Sequence, residues 1–298
     1  MRKRDGIFVI ILLALLLASC EKLVEYGEGR YLCENGELTY LENYGGVYIH
    51  WSDEITAEQQ EVIREMVMNM VRVEGGSFVM GRQNNNPNEN NYDALAESDE
   101  SPVHNVTLSP YYIGKYEVTQ KDWKVIMGSD KGWATSYGLG DSYPAYNIRY
   151  VDVEAFLIRI NQLSGLTFRL PTEAEWEFAA QGGPNMANFP YSGSTTLQLV
   201  AWYKDNSDNR AHPIGTKQPN SLGLYDMSGN VCEWCSDYYG SYSSNNQTNP
   251  TGVAVGTEHV LRGGSYCLLD LHCRCAARDH FYTNGQSVGV GFRVVISN

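Results

Sequence analysis

The spacing of apolar positions along this chain changes period several times, and each change marks an element. Residues 21 to 54 are short on helical spacing. Glu37-Leu38-Thr39-Tyr40-Leu41 and Val47-Tyr48-Ile49-His50-Trp51 flank the turn-prone Asn43-Tyr44-Gly45-Gly46, which predicts a β-hairpin. From Thr56 the period becomes helical. Ile63, Met66, Val67, Met70 and Val71 fall on one face, and Thr56 with Gln59 forms a capping box. This helix is expected to dock on the main domain, its methionines filling irregular gaps in the core.

Val73 to Gly81 reads as a short strand leaving through a glycine, and the Asn-rich stretch from Asn84 to Tyr92 as a mobile loop. Two further helices are predicted. One spans Val151 to Ser164, with Val153, Phe156, Leu157, Ile160 and Leu163 on one face and Gly165 as its C-cap. The other spans Thr172 to Ala180 and opens with a second capping box, Thr172 to Glu175. Beyond Gly182 the chain is a succession of short extended pieces and turns, with no internal repeat.

The unbroken apolar run Ile7 to Leu16 belongs to a different pattern. Arg2, Lys3 and Arg4 precede it, and Leu17-Ala18-Ser19-Cys20 follows. Basic residues, a short apolar core and small residues before a cleavage point make a secretory signal. About 20 apolar residues would be wanted for a membrane span. A cysteine at the cleavage point resembles a bacterial lipobox, so Cys20 is expected to become the lipidated first residue of a tethered chain. Each buried lipid methylene contributes about 0.8 kcal/mol to such tethering. Glu21 is not the aspartate associated with inner-membrane retention, which makes the outer membrane the expected destination. The expected organisation is a signal peptide over 1–19, a lead-in of hairpin and helix over 20–72, and one domain over 73–298.

Composition narrows the domain's character. Twenty-nine Gly, 21 Tyr and 6 Trp with only 19% charged residues describe a loop-rich globule packed on aromatics, unlike a helical bundle. Thirty-five acidic against 22 basic residues leave a net charge of −13, which argues against nucleic acid as a partner and makes a bound divalent cation worth seeking. Cys33, Cys232, Cys235, Cys267, Cys273 and Cys275 remain after Cys20. They can be buried thiols or disulfides, and sequence leaves their pairing open. Cys232 and Cys235 make a Cys-x-x-Cys, but no helix start follows it, against a thioredoxin-like pair. His272-Cys273-Arg274-Cys275 supplies too few ligands for structural zinc.

Six motifs then occur in order: Val-Glu-Gly-Gly-Ser-Phe-Val-Met-Gly at 73–81, Tyr-Glu-Val-Thr at 116–119, Arg-Leu-Pro-Thr-Glu-Ala-Glu-Trp-Glu-Phe-Ala-Ala at 169–180, Gly-Leu-Tyr-Asp-Met-Ser-Gly-Asn-Val at 223–231, Arg-Gly-Gly-Ser at 262–265 and Gly-Phe-Arg at 291–293. Together they resemble the formylglycine-generating enzyme (sulfatase-modifying factor) family over residues 73 to 296. The resemblance implies a compact α+β domain with little regular structure, related to C-type lectin-like folds. It also implies that active relatives oxidise a sulfatase cysteine to formylglycine with a copper(I) ion held by two thiolates, a soft-ligand arrangement suited to that ion.

Carried onto this chain, the copper ligands and catalytic pair would be Cys267 and Cys273, with Ser265 positioning substrate. The register departs from the family: Cys267 follows Tyr266 at once, Leu268 occupies the expected cysteine position, and five residues separate the two thiols instead of four. In an extended segment a one-residue shift points a side chain to the opposite face. Cys232 also stands where the family usually has tryptophan. The resemblance further implies a calcium site built from Asp226, Gly229, Val231 and Glu233, with Asn206 in the region of a second site, all hard oxygen donors.

Glu173 and Glu177 share a helix face and are expected to pair with Arg169 or another arginine, with Glu175 used by the cap. Tyr111-Tyr112 and Tyr238-Tyr239 are expected to pack in the core. The favoured reading is a lipid-anchored, non-catalytic domain binding an envelope protein or a glycan, or serving a structural role. The alternative is a copper-dependent oxidase acting on an exported sulfatase.

Overall fold

The computed structural model describes residues 22–297 apart from 27, 28, 35, 36 and 90, with side chains from residue 41 onward. The signal segment and the expected lipidation site Cys20 lie outside the described residues. An antiparallel meander comes first: β1 (Lys22–Tyr26), β2 (Gly29–Glu34), β3 (Glu37–Tyr44) and β4 (Val47–Ile49). The predicted hairpin is β3–β4, pairing Tyr44 with Val47 across Gly45 and Gly46.

Helix α1 (Ala57–Met68) starts at the Thr56–Gln59 capping box and ends at Asn69, earlier than its apolar spacing suggested. Met70 and Val71 instead open β5 (Met70–Val73), which pairs with β8 (Tyr111–Gly114). The strand expected over 73–81 is therefore cut: β6 (Gly76–Met80) belongs to another sheet and pairs with β7 (His104–Leu108). Gly75 makes the break, since a Cβ there would sit 2.4 Å from the Leu108 carbonyl oxygen.

Helix α2 (Gln120–Met127) packs between α1 and α3 (Tyr150–Ser164), and the C-cap Gly165 of α3 takes φ 64°. Strand β9 (Phe168–Arg169) leads into α4 (Glu173–Ala180), capped by Thr172 as predicted. Every residue of α4 is buried, so it is a core helix. After the short α5 (Leu197–Val200), the remaining strands are β10 (Cys232–Tyr238), β11 (Gln247–Thr248), β12 (Glu258–Arg262), β13 (Arg278–Tyr282), β14 (Val290–Gly291) and β15 (Val295–Ser297).

Three sheets make up the domain: β13-β12-β10-β14, β11-β7-β6 and β5-β8-β15-β9. Strand β10 divides the core. Cys232 and Trp234 face a cluster with Trp123, Phe156 and Phe292, whereas Cys235 faces a second with Phe78, Trp176 and Phe178. A spacing of three puts Cys232 and Cys235 on opposite faces of a strand, which removes them as a redox pair. The stretch from Asn84 to Tyr92 is turn-rich, yet Gln83 Oε1 accepts the amides of Asn85 and Asn86, so part of it is tied to the domain. Among the described residues no helix is long and apolar enough to cross a membrane.

Candidate functional site

The C-terminal quarter is built on buried arginines. Arg293 makes two 2.6 Å bonds to Glu233, Arg278 binds Glu173 at 2.6 and 2.9 Å, Arg262 binds Glu177, and Arg274 binds Glu100. Glu173 and Glu177 thus pair with arginines other than Arg169, which takes Glu175. Glu175 also accepts the Thr172 amide. With both oxygens engaged, these carboxylates hold the fold and do no acid–base work.

The expected calcium ligands are engaged differently. Glu233 is saturated by Arg293 and by Trp176 Nε1 at 2.7 Å, so the arginine supplies the positive charge that carboxylate needs. Asn206 is spent on the Tyr203 amide and the Ala201 carbonyl. Asp226 accepts the Gly215 amide at 2.7 Å through one oxygen and leaves the other buried without a partner. Gly229 is required as glycine: its φ is 82°, and a Cβ would lie 2.3 Å from the Trp202 carbonyl oxygen. Val231 donates its amide to Glu117. The donor set therefore does not fit the calcium cage implied by resemblance, because Glu233 is withdrawn from it by Arg293, and Asn206, in the region of the second site, is bonded within its own turn. Burial, then the charges of Asp226 and Glu233, push the Glu117 carboxyl well above its ordinary range. Burial raises Asp226 to about 6.

Ser265, Cys267 and Cys273 do meet, at the turn that follows β12. Gly263 and Gly264 both take positive φ, and a Cβ on Gly264 would lie 2.8 Å from Cys273 Sγ. Ser265 Oγ lies 3.3 Å from Cys267 Sγ. The two thiols nevertheless sit in different surroundings. Cys267 is half-buried against the Trp123 cluster, whereas Cys273 is fully buried with Tyr191, Leu197 and Tyr203. Burial, then nearby Asp270 and Cys267, push the Cys273 thiol up to about 12. That favours the thiol in the metal-free protein, whereas a bound metal ion would hold the thiolate. Cys267 and Cys273 are the residues that would hold copper(I). The five cysteines whose side chains are described, Cys232, Cys235, Cys267, Cys273 and Cys275, are free thiols. Among the described residues, no three or more His, Cys, Asp or Glu side chains converge as a metal cage.

Around this turn burial alternates in blocks. Residues 259–266, 273–278 and 289–296 are buried, while 267–272 and 279–288 are half-buried or exposed. The outward stretches are chemically mixed: Leu268, Leu269, Asp270, Leu271 and His272 in the first, Asp279, His280, Phe281 and Tyr282 in the second. They adjoin one another at residues 288–289, where Tyr266 donates to the Val288 carbonyl and Cys267 Sγ lies 3.4 Å from where a Cβ on Gly289 would be. Strand β13 is also a sheet edge. A separate cavity of about 290 Å³ lies between α1 and α2, lined by Met66, Met70, Tyr116 and Ile214, away from the thiols.

This architecture is that of the family the motifs indicate. Residues 56–298 match the Sulfatase-modifying factor enzyme 1-like domain, and the chain belongs to that family. The match includes α1. A protein named "Chaperone protein LppX" from Paenibacillus barcinonensis is 30% identical, over 76% of this chain and 89% of its own. The formylglycine-generating enzyme of Thermomonospora curvata is 26% identical, over 77% and 94%. The solved structure of Treponema denticola variable protein 1 superposes with a TM-score of 0.65 at 25% identity, covering 87% of this chain and 98% of its own.

Sequence reasoning missed the organisers of the site. Glu117 binds Asn230 Nδ2 at 2.7 Å as well as the Val231 amide, and the Asn230 backbone carbonyl accepts the Tyr266 amide. Asn230 holds φ 60°, which asparagine tolerates better than most residues. Glu117 and Arg293 both lie in motifs quoted above, but motif membership did not say which residues they touch.

Proposed function

We propose that this chain is a non-catalytic binding domain of the family, held at a bacterial envelope through lipid on Cys20, with residues 267–272 and 279–288 as its binding face. The carrying observation is the alternation of buried blocks with less buried stretches on which Leu269 and Tyr282 stand exposed. A surface of exposed apolar residues beside charged ones suits a protein partner better than a glycan. Leu269 and Tyr282 are 45% and 62% exposed, a large apolar outlay for residues with no packing duty. A relative named a chaperone is in keeping with action on another protein. A structural neighbour named a variable protein is in keeping with a scaffold whose outward residues are free to differ.

The second reading, a copper-dependent formylglycine generator, draws support from the meeting of Ser265, Cys267 and Cys273 at one turn. The two readings part in one experiment. A sulfatase-type Cys-x-Pro-x-Arg peptide is incubated with the reduced, copper-loaded domain and weighed by mass spectrometry, beside a Cys273→Ala control. The binding reading expects no aldehyde; conversion that disappears in the control overturns it.

A further inference from the structure

One buried carboxylate outside the family motifs has no cation of its own. Asp237, near the end of β10, is 3% exposed and makes no ion pair among the described residues. The three acids of the adjacent α4 are all matched: Glu173 by Arg278, Glu175 by Arg169 and Glu177 by Arg262. Arg278 has nothing left to offer Asp237, since its nitrogens bond Glu173 and the carbonyls of Asp99 and Gly240. Asp237 Oδ2 accepts the Glu173 amide at 3.1 Å and the Ser236 hydroxyl at 3.0 Å, whereas Oδ1 takes no hydrogen bond among the described residues. Asp237 lines a cavity of about 150 Å³ between α4, β10 and the loop 240–253. Gly252 lines it too, and a Cβ there would lie 3.1 Å from Oδ1, so glycine leaves that oxygen uncovered. Tyr238, Tyr242, Pro250, Val253 and His104 complete this part of the wall. His104 Nδ1 sits 3.0 Å from the Pro102 carbonyl, so a neutral ring donates there and keeps Nε2 as an acceptor.

We infer that this cavity binds a primary ammonium group, paired with Asp237 Oδ1 and with its alkyl stem along Tyr238, Pro250 and Val253. A buried carboxylate without a partner is costly, and a positive ligand relieves that cost. Only one carboxylate oxygen is free, whereas a guanidinium fork is matched by two and a calcium ion by six to eight oxygens. A compact ammonium bonds separate single acceptors, which Asp237 Oδ1 and a neutral His104 ring supply, and methylenes suit the apolar part of the wall. Burial, then the Glu173 charge, raise the free carboxyl to about 7. Binding below that pH therefore displaces a proton: the carboxylic acid and R–NH₃⁺ give the ion pair and H⁺. The other groups facing Asp237 are Glu173, Glu175, Arg278 and Tyr242, held in bonds to one another or to Arg169, and His104. This site does not rest on the face formed by residues 267–272 and 279–288, and its failure leaves that reading untouched.

The test titrates the full chain, kept in detergent, with n-butylamine at pH 7.5 and follows its melting temperature. n-Butanol, which keeps the stem and lacks the charge, is the control. A saturable rise is expected with the amine and no rise with the alcohol at equal concentration. Asp237→Asn keeps an acceptor for the Glu173 amide and the Ser236 hydroxyl and is expected to lower amine affinity more than tenfold. Gly252→Ala, in an exposed loop, is expected to weaken binding as well by covering Oδ1. Wild-type affinity is expected to fall roughly tenfold between pH 7.5 and 5.5, a dependence lost in Asp237→Asn, where His104 remains. An equal response to n-butanol, an unchanged affinity in Asp237→Asn, or a wild-type affinity that does not fall with acid overturns the inference. Nα-acetyl-lysine methylamide tells two sources of the group apart. Binding tighter than that of n-butylamine assigns the site to a lysine side chain of a polypeptide, and weaker binding to a free alkylamine.

Discussion

Two sets of residues alternate along the last quarter of this chain, and they are treated oppositely by the fold. Arg262, Arg274, Arg278 and Arg293 are each at most 5% exposed and carry between them the buried carboxylates Glu177, Glu100, Glu173 and Glu233. Residues 267–272 and 279–288 lie between those arginines in sequence and are turned outward. The contrast teaches that stability and recognition are assigned to separate residues a few positions apart. Charge buried in pairs fixes where the turns go, because a half-broken pair is so costly, while the turns themselves are left chemically free.

The largest expected effect comes from breaking the framework. Arg293→Met removes a cation shared by Glu233, Glu117 and Asp226 and strands a buried carboxylate. Urea unfolding is expected to show a loss of about 3–5 kcal/mol, or no cooperative transition at all. A loss below about 1 kcal/mol would mean that another cation holds these groups, and calcium would return as the candidate.

An intermediate effect is expected at Asp237. Burial, then the Glu173 charge, push its carboxyl up to about 7, against bonds from the Glu173 amide and the Ser236 hydroxyl. A folded value above the unfolded one, about 3.9, means the group's stabilising contribution is present below that unfolded value and lost as pH rises through about 7. Asp237→Asn keeps an acceptor for both donors and removes the buried charge. Its melting temperature is expected to exceed wild type at pH 8, with a smaller gain at pH 5 that disappears only below about pH 3.9. A gain that is equal at both values would show that the Asp237 carboxyl is not raised by the fold and is already charged in the folded protein at pH 5.

The smallest effect on stability is expected on the outward face. Leu269→Ser and Tyr282→Ser should each change stability by no more than about 0.5 kcal/mol, while lowering affinity for any partner that uses this face. Loss of more than about 2 kcal/mol in either would make these residues part of the framework after all.

How much of this was legible beforehand depended on sequence distance. Helices α1, α3 and α4 were readable because their signals are local: Thr56 with Gln59, Gly165, and Thr172 with Glu175 all act within one turn. The ends of α1 and β6 were misread because tertiary pairing with β8 and β7 overrode an apolar spacing that continued past Met68. The ion pairs were not readable, since Arg274 meets Glu100 across 174 residues and Arg293 meets Glu233 across 60. Composition says that arginines and carboxylates are present, but not which ones meet. The same gap explains the calcium reading: Glu233 was in the right motif, and only the fold revealed that Arg293 had taken it.

The separation of framework from face is tested most directly by replacing several outward residues at once. A triple variant, Leu269→Ser, Asp270→Ser and Tyr282→Ser, is melted beside wild type by circular dichroism. A cooperative transition within about 5 °C of wild type is the expected result, because none of the three packs in a core cluster. A fall of more than about 10 °C, or loss of the cooperative transition, would contradict the division and mean that the outward stretches help hold the fold.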